Sequence, residues 1–231
     1  MFYFDPMYFV FLAPALLLML YAQWRVRATV GKYGQIPNRL GLTGAQVARA
    51  ILDRNGLFDI PVEVTPGELT DHYDPLRRVV RLSEPVYYGR SVAALGIAAH
   101  ETGHAIQHQQ GYVPLQLRTA IVPVVNLGTN LGWIMILAGI LVGITGLAWL
   151  GVALFASGTL FALLTLPVEF DASRRALAAL TTMGIVDRTE LDQNREVLNA
   201  AALTYVAGLV AAVLNLLYWI SVVSGMQRRS D

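Results

Sequence analysis

The sequence predicts a mainly α integral membrane protein, with four transmembrane helices and one small α+β unit facing the cytoplasm. Three observations carry this. Of 231 residues, 55% are hydrophobic and only 14% charged, against about 25% charged in a soluble domain. Mean hydropathy is +0.50. The charges are also confined, leaving long stretches without any. A net charge of +1 gives no basic surface for a polyanion, and no nucleic-acid partner is expected.

The first span is "MYFVFLAPALLLMLYAQW" (7–24), since no charge lies between Asp5 and Arg25 and a crossing needs about 20 apolar residues. A cleaved signal peptide would begin with positive charge; here Asp5 precedes the run and Arg25 and Arg27 follow it. A retained span with its N-terminus outside is expected. The next gap, from Thr119 to Val168, is fifty residues long. As one helix it would extend about 75 Å, far beyond a ~30 Å hydrocarbon core. It must fold back, and the glycine-rich "GILVGITGLAWLG" (139–151) is the natural turn, giving spans near 121–143 and 147–167. The run "LTYVAGLVAAVLNLLYWISVVSG" (203–225) is the fourth.

The expected division is a first transmembrane helix at 1–24, a cytoplasmic region at 25–120 and a transmembrane hairpin at 121–167. A cytoplasmic helical segment at 168–202 and a last transmembrane helix with its tail at 203–231 complete it. Arg25, Arg27, Lys32, Arg39 and Arg49 all precede the next acid, Asp53, and positive flanks stay in the cytoplasm. Both termini then lie outside, although Arg228 and Arg229 run against that count.

Within 25–120, "LTGAQVARAILDRNGL" (42–57) reads as a helix with Val47, Ala48, Ile51 and Leu52 on one side and Gly56 as its stop. "VEVTPGELTDHYDPLRRVVRLS" (62–83) reads as short strands around Pro66-Gly67 and Asp74-Pro75 turns. "SVAALGIAAHETGHAIQHQQ" (91–110) reads as another helix.

That helix carries three of the four histidines. Residues four apart share a helix face, so His100 and His104 can place two imidazoles on one ion. Glu101 beside them can take a proton from water at the ion's open position. Cysteine is absent, so disulfides are excluded and a metal must rest on nitrogen and oxygen. One zinc per chain is expected. The competing reading is an amphipathic helix with its polar residues in solvent. The small apolar flank "AALGIAA" (93–99) opposes it, because burying an unpaired charge is costly.

His108 is excluded by geometry as a third ligand. It lies about 12 Å beyond His100 along a helix, and zinc–nitrogen bonds are about 2.0–2.1 Å. The elongated pattern with a third histidine would need one at position 110, where Gln110 stands. His72 in "DHYDP" is a weaker loop candidate. Glu169 is the first charge after the fifty-residue gap, and two consecutive spans return the chain to the side it left. That shared face favours a ligand role. Charges at span ends are more often simply solvated, and the residues alone leave both readings open.

"HETGHAIQH" (100–108) followed by "PVEFDASRRAL" (167–177), behind a short N-terminal span, resembles the YugP-type neutral zinc metallopeptidases of bacterial membranes. The resemblance covers nearly the whole chain. More distantly the chain is similar to the HtpX-type membrane proteases, in which a glutamate on a later helix is the third ligand after a two-span insertion. The resemblance implies zinc on His100, His104 and Glu169, with Glu101 as general base and then proton donor. It also implies a zincin-like metalloprotease unit on the cytoplasmic face of the bacterial inner membrane. Its substrates would be proteins or peptides, unfolded and membrane proteins among them, which add as an extra strand to the 62–83 region.

The distant relatives have an aspartate four residues beyond the ligand glutamate; here that position is Ser173. Asp171 or Ser173 is left to support a ligand histidine. Tyr112, His72 and Arg174 are the candidates for stabilising an oxyanion. Three other readings are weaker. A site-2-type intramembrane protease needs its motif inside a span, and the eight residues before His100 are too few. A catalytically idle zinc scaffold would usually have four protein ligands. A transporter would need charged side chains in its spans, and spans two to four have none.

Overall fold

Long apolar runs and short amphipathic ones build two different kinds of structure in this chain. A computed structural model describes residues 6–230, with side chains through Gln227; Asp5 and the Arg228 and Arg229 side chains, used above for orientation, lie outside the described residues. The chain is mainly helical. It divides into an apolar unit and a polar unit. The apolar unit holds residues up to Ala22, Leu117–Leu166 and those from Thr204, and the polar unit holds Gln23–Gln116 and Pro167–Leu203.

Among the described residues, four helices are long and apolar enough to cross a membrane: α1 (Pro6–Tyr33), α5 (Val113–Val142), α6 (Thr145–Thr182) and α7 (Arg188–Ser230). The α5–α6 hairpin turns at Gly143, whose φ of +75° is a backbone state open to glycine without steric cost. Its arms pack backbone to backbone. A Cβ on Gly132 would lie 2.7 Å from the Gly151 carbonyl oxygen, the close approach typical of small residues between membrane helices. Leu127, Ile134, Leu160 and Leu163 remain exposed on the outside of this unit, as lipid-facing residues would be.

The polar unit is organised by burial. Helix α2 (Gly44–Arg54) starts at a capping box, in which Thr43 Oγ1 accepts from the Gln46 amide and the Gln46 side chain accepts from the Thr43 amide. Its Val47, Ala48, Ile51 and Leu52 are fully buried, the larger aliphatic side chains contributing about 1.5–3 kcal/mol each. Strands β1 (Val62–Thr65), β2 (His72–Asp74) and β3 (Val79–Ser83) form a sheet in the order β1-β3-β2. β3 is central, parallel to β1 and antiparallel to β2. The Asp74-Pro75 turn is held by Asp74 Oδ1, which accepts from the amides of Leu76 and Arg77. A short α3 (Glu84–Tyr87) leads to α4 (Val92–Gln109), capped by Ser91 Oγ accepting from the Ala94 amide. The core joins Ile51 and Leu52 of α2, Val80 and Leu82 of β3, Leu95 and Ala98 of α4, and Ala176 and Leu180 of α6.

Helix length departs from the sequence expectation. The apolar runs stop near residues 24 and 167, but α1 continues to Tyr33 and α6 to Thr182, while α7 begins fifteen residues before 203, at Arg188. The polar stretch 168–202 is therefore the end of α6 and the start of α7, joined at 183–187, and not a helical segment of its own. Charge marks where a membrane can end. It does not stop a helix, because Arg, Glu, Leu and Ala are all good helix formers.

Candidate metal centre

Where α4 and α6 cross, the crossing point is Gly103, inside the His-Glu-x-x-His motif. A Cβ there would lie 2.7 Å from the Ala172 carbonyl oxygen, so only glycine lets α6 come this near. The α6 residues Glu169, Ala172, Ala176 and Leu180 are all buried, and their spacing makes one stripe along the helix. Glu169 belongs to that stripe and is 2% exposed. Contact with α4 rather than with solvent sets its environment.

Three donors converge there. Glu169 Oε2 lies 3.2 Å from His100 Nε2 and 3.5 Å from His104 Nε2. One ligand atom from each residue lies within 4.8 Å of the others. Two donors on a tetrahedral zinc, each bonded at about 2.0–2.1 Å, stand roughly 3.3–3.4 Å apart. The carboxylate-to-imidazole distances fit that spacing, and the two-nitrogen, one-oxygen set suits zinc. Both rings turn Nε2 toward the cluster and use Nδ1 elsewhere: His100 Nδ1 lies 3.1 Å from Ser173 Oγ, and His104 Nδ1 lies 3.0 Å from Gln107 Oε1.

Glu101 occupies the next position on α4 and is 8% exposed. Burial pushes its carboxyl up from the usual carboxylate range, against the pull of His100 and His104 and with a further push from Glu169 and Asp71. Its carboxylate makes no hydrogen bond among the described residues, so it remains available to water.

The chain matches, over residues 8–224, the family described as "putative neutral zinc metallopeptidase". It belongs to that family. It is 48% identical over 217 residues to the "putative membrane protease YugP" of Bacillus subtilis (strain 168), covering 94% of this chain and 96% of that protein. No solved structure matches it.

In this member of the zinc metallopeptidase family, the other sequence candidates stand apart from the cluster. His108 sits on the same unbroken helix, and its Nδ1 shares a 2.8 Å hydrogen bond with the Tyr73 hydroxyl. His72 is exposed on β2 and donates from Nδ1 to the Thr70 carbonyl. Tyr112 donates to the Pro167 carbonyl at 3.4 Å, with the Arg175 guanidinium over its ring. Arg174 pairs with Asp171 and is largely exposed. Of the two residues left open as supports, Ser173 touches His100 directly, whereas Asp171 reaches His104 only through Gln107. Gln107 escaped the sequence reading. Its available signal was position: it lies three residues beyond His104, one turn along the same face.

Proposed function

We propose that the chain is a zinc endopeptidase anchored in the bacterial inner membrane, hydrolysing peptide bonds at the cytoplasmic surface with a zincin-like unit. The observation that carries this is the convergence of His100, His104 and Glu169 at zinc-ligand spacing beside a buried, uncommitted Glu101. His100 Nε2, His104 Nε2 and Glu169 Oε2 hold one zinc per chain. Bound there, zinc acidifies water and polarises a carbonyl oxygen. Glu101 takes a proton from the attacking water and passes it to the departing amine nitrogen. Burial raises its pKa, which makes the carboxylate a stronger base toward water.

Substrates are protein or peptide segments, unfolded and membrane proteins among them, that align along an outer strand of the sheet. β2 is such an outer strand, and Tyr73 on it touches α4 through His108. All three ligands belong to the polar unit, which favours chemistry at the membrane surface over a site within the spans. Three protein ligands, with a base next to them, also favour catalysis over a closed structural site.

Glu101→Gln should retain zinc and fold while hydrolysis of an unfolded casein-like substrate falls about 10²–10⁴-fold, the usual worth of a general base. A variant as active as its parent would refute the role of Glu101. For orientation, the chain has no native cysteine and Arg54 and Asp187 are exposed. Arg54→Cys and Asp187→Cys should react with an impermeant maleimide only after cells are opened. Labelling on intact cells would reverse the assigned sides.

A further inference from the structure

We infer that Gln107, backed by Asp171, is the positioning residue that aims the zinc-binding nitrogen of His104; this rests on the zinc site proposed above. Gln107 is fully buried. Its Nε2 donates to the Val168 carbonyl at 2.8 Å and to Asp171 Oδ2 at 2.9 Å. Both partners can only accept, one being a carbonyl and the other a carboxylate. The amide therefore has one orientation. Turning it over would set its oxygen against two oxygens, with no water inside to relieve them.

With Nε2 committed, Oε1 faces His104 Nδ1 at 3.0 Å. An amide oxygen can only accept, so the imidazole must present an N–H at Nδ1, leaving Nε2 as the nitrogen that offers its lone pair to a metal. A ligand histidine held in this way has both its tautomer and its ring plane preset.

Asp171 makes the arrangement one-sided. It is 4% exposed, and its carboxylate is held by Arg174 at Oδ1 and by Arg175 at Oδ2, the latter at 2.5 Å. Arg175 also reaches Gln110 Oε1 at 2.6 Å, so it pins the C-terminal cap of α4 as well. Val168, the other partner of Gln107, immediately precedes Glu169. One side chain thus orients a ligand on α4 and anchors the backbone next to a ligand on α6. His100 is held differently: Ser173 Oγ both donates and accepts, so it imposes no direction on that ring.

The test is zinc affinity of the full-length protein in detergent, measured by competition with a chelating indicator, with melting of the metal-free protein followed in parallel. Gln107→Leu should weaken zinc about 10–100-fold, the usual cost of losing the partner of a ligand histidine. Asp171→Asn should weaken it less, since an asparagine can offer either an oxygen or an NH₂ to Gln107. The combination Gln107→Glu with Asp171→Asn keeps an oxygen on His104 Nδ1 and turns round the hydrogen bond to position 171, while the second carboxyl oxygen loses its bond to the Val168 carbonyl. It should bind zinc at least about threefold more tightly than Gln107→Leu, a partial rescue that a packing role would not produce. Ser173→Ala should change affinity least.

If Gln107→Leu binds zinc as tightly as the parent, or the combined variant binds as weakly as Gln107→Leu, the inference fails. Should Gln107→Leu not fold, the comparison of Asp171→Asn with the combined variant decides alone. A parent that binds no zinc removes the proposed function and this inference together, whereas normal binding by the parent with unchanged variants removes only the inference.

Discussion

The apolar and polar units of this chain differ in how far their polar side chains reach for partners. In the apolar unit, Thr129, Ser157, Thr165 and Ser221 return their hydroxyls to carbonyls three or four residues back in their own helix, while Thr159 donates to the Ala212 carbonyl of α7. In the polar unit, Ser173 and Asp171 reach residues 73 and 64 positions away. The difference follows from the surroundings. A span has no water to satisfy a hydroxyl, so the nearest backbone carbonyl does so, and the helices join through close glycine contacts instead. In the polar unit an apolar core pulls α4 and α6 together, and the groups buried with it must find partners across the crossing. One unit can lose a polar side chain cheaply. The other cannot.

The strongest way to break this comparison is at Glu169. Glu169→Ala should reduce zinc affinity by more than about a hundredfold, beyond the 10–100-fold range for residues that only support a ligand, and hydrolysis should fall with it. His108→Ala is the control, and should keep most of both. Metal analysis after dialysis settles the pair; zinc lost from the histidine variant and kept by the glutamate variant would reverse the assignment.

Gly103→Ala should have the next largest effect. A methyl group meeting the Ala172 carbonyl should destabilise by about 1–3 kcal/mol, as overpacking does, and should weaken zinc because Glu169 moves away with α6. A variant with unchanged melting temperature and zinc affinity would show that the crossing has slack.

Gly132→Ala makes a similar intrusion in the apolar unit, against Gly151 and Phe155. It should lower thermal stability and leave zinc affinity of the folded protein within about twofold, since sites without shared partners act independently. Loss of zinc without loss of stability would mean that the two units are coupled in a way this comparison denies.

What the sequence determined by itself is what depends on near neighbours. Residues four apart on a helix put His100 and His104 on one face, and the same rise per residue keeps His108 out of reach. The caps at Thr43 and Ser91 and the turns at Gly67, Asp74 and Gly143 are likewise matters of a few residues. The charge-free runs were legible because a bilayer has a thickness that a count of residues can meet.

Tertiary structure alone decided the rest. No local pattern could place β3 between β1 and β2, because strand order depends on pairing between distant segments. Nor could one show how far α6 and α7 run past their apolar parts, since packing of Ala176, Leu180 and Leu198 into the hydrophobic core of the polar unit holds those extensions. Gln107 is the sharpest case. Its role comes from one histidine on its own helix and from two acceptors more than sixty residues away, and only the folded chain brings them within hydrogen-bonding distance.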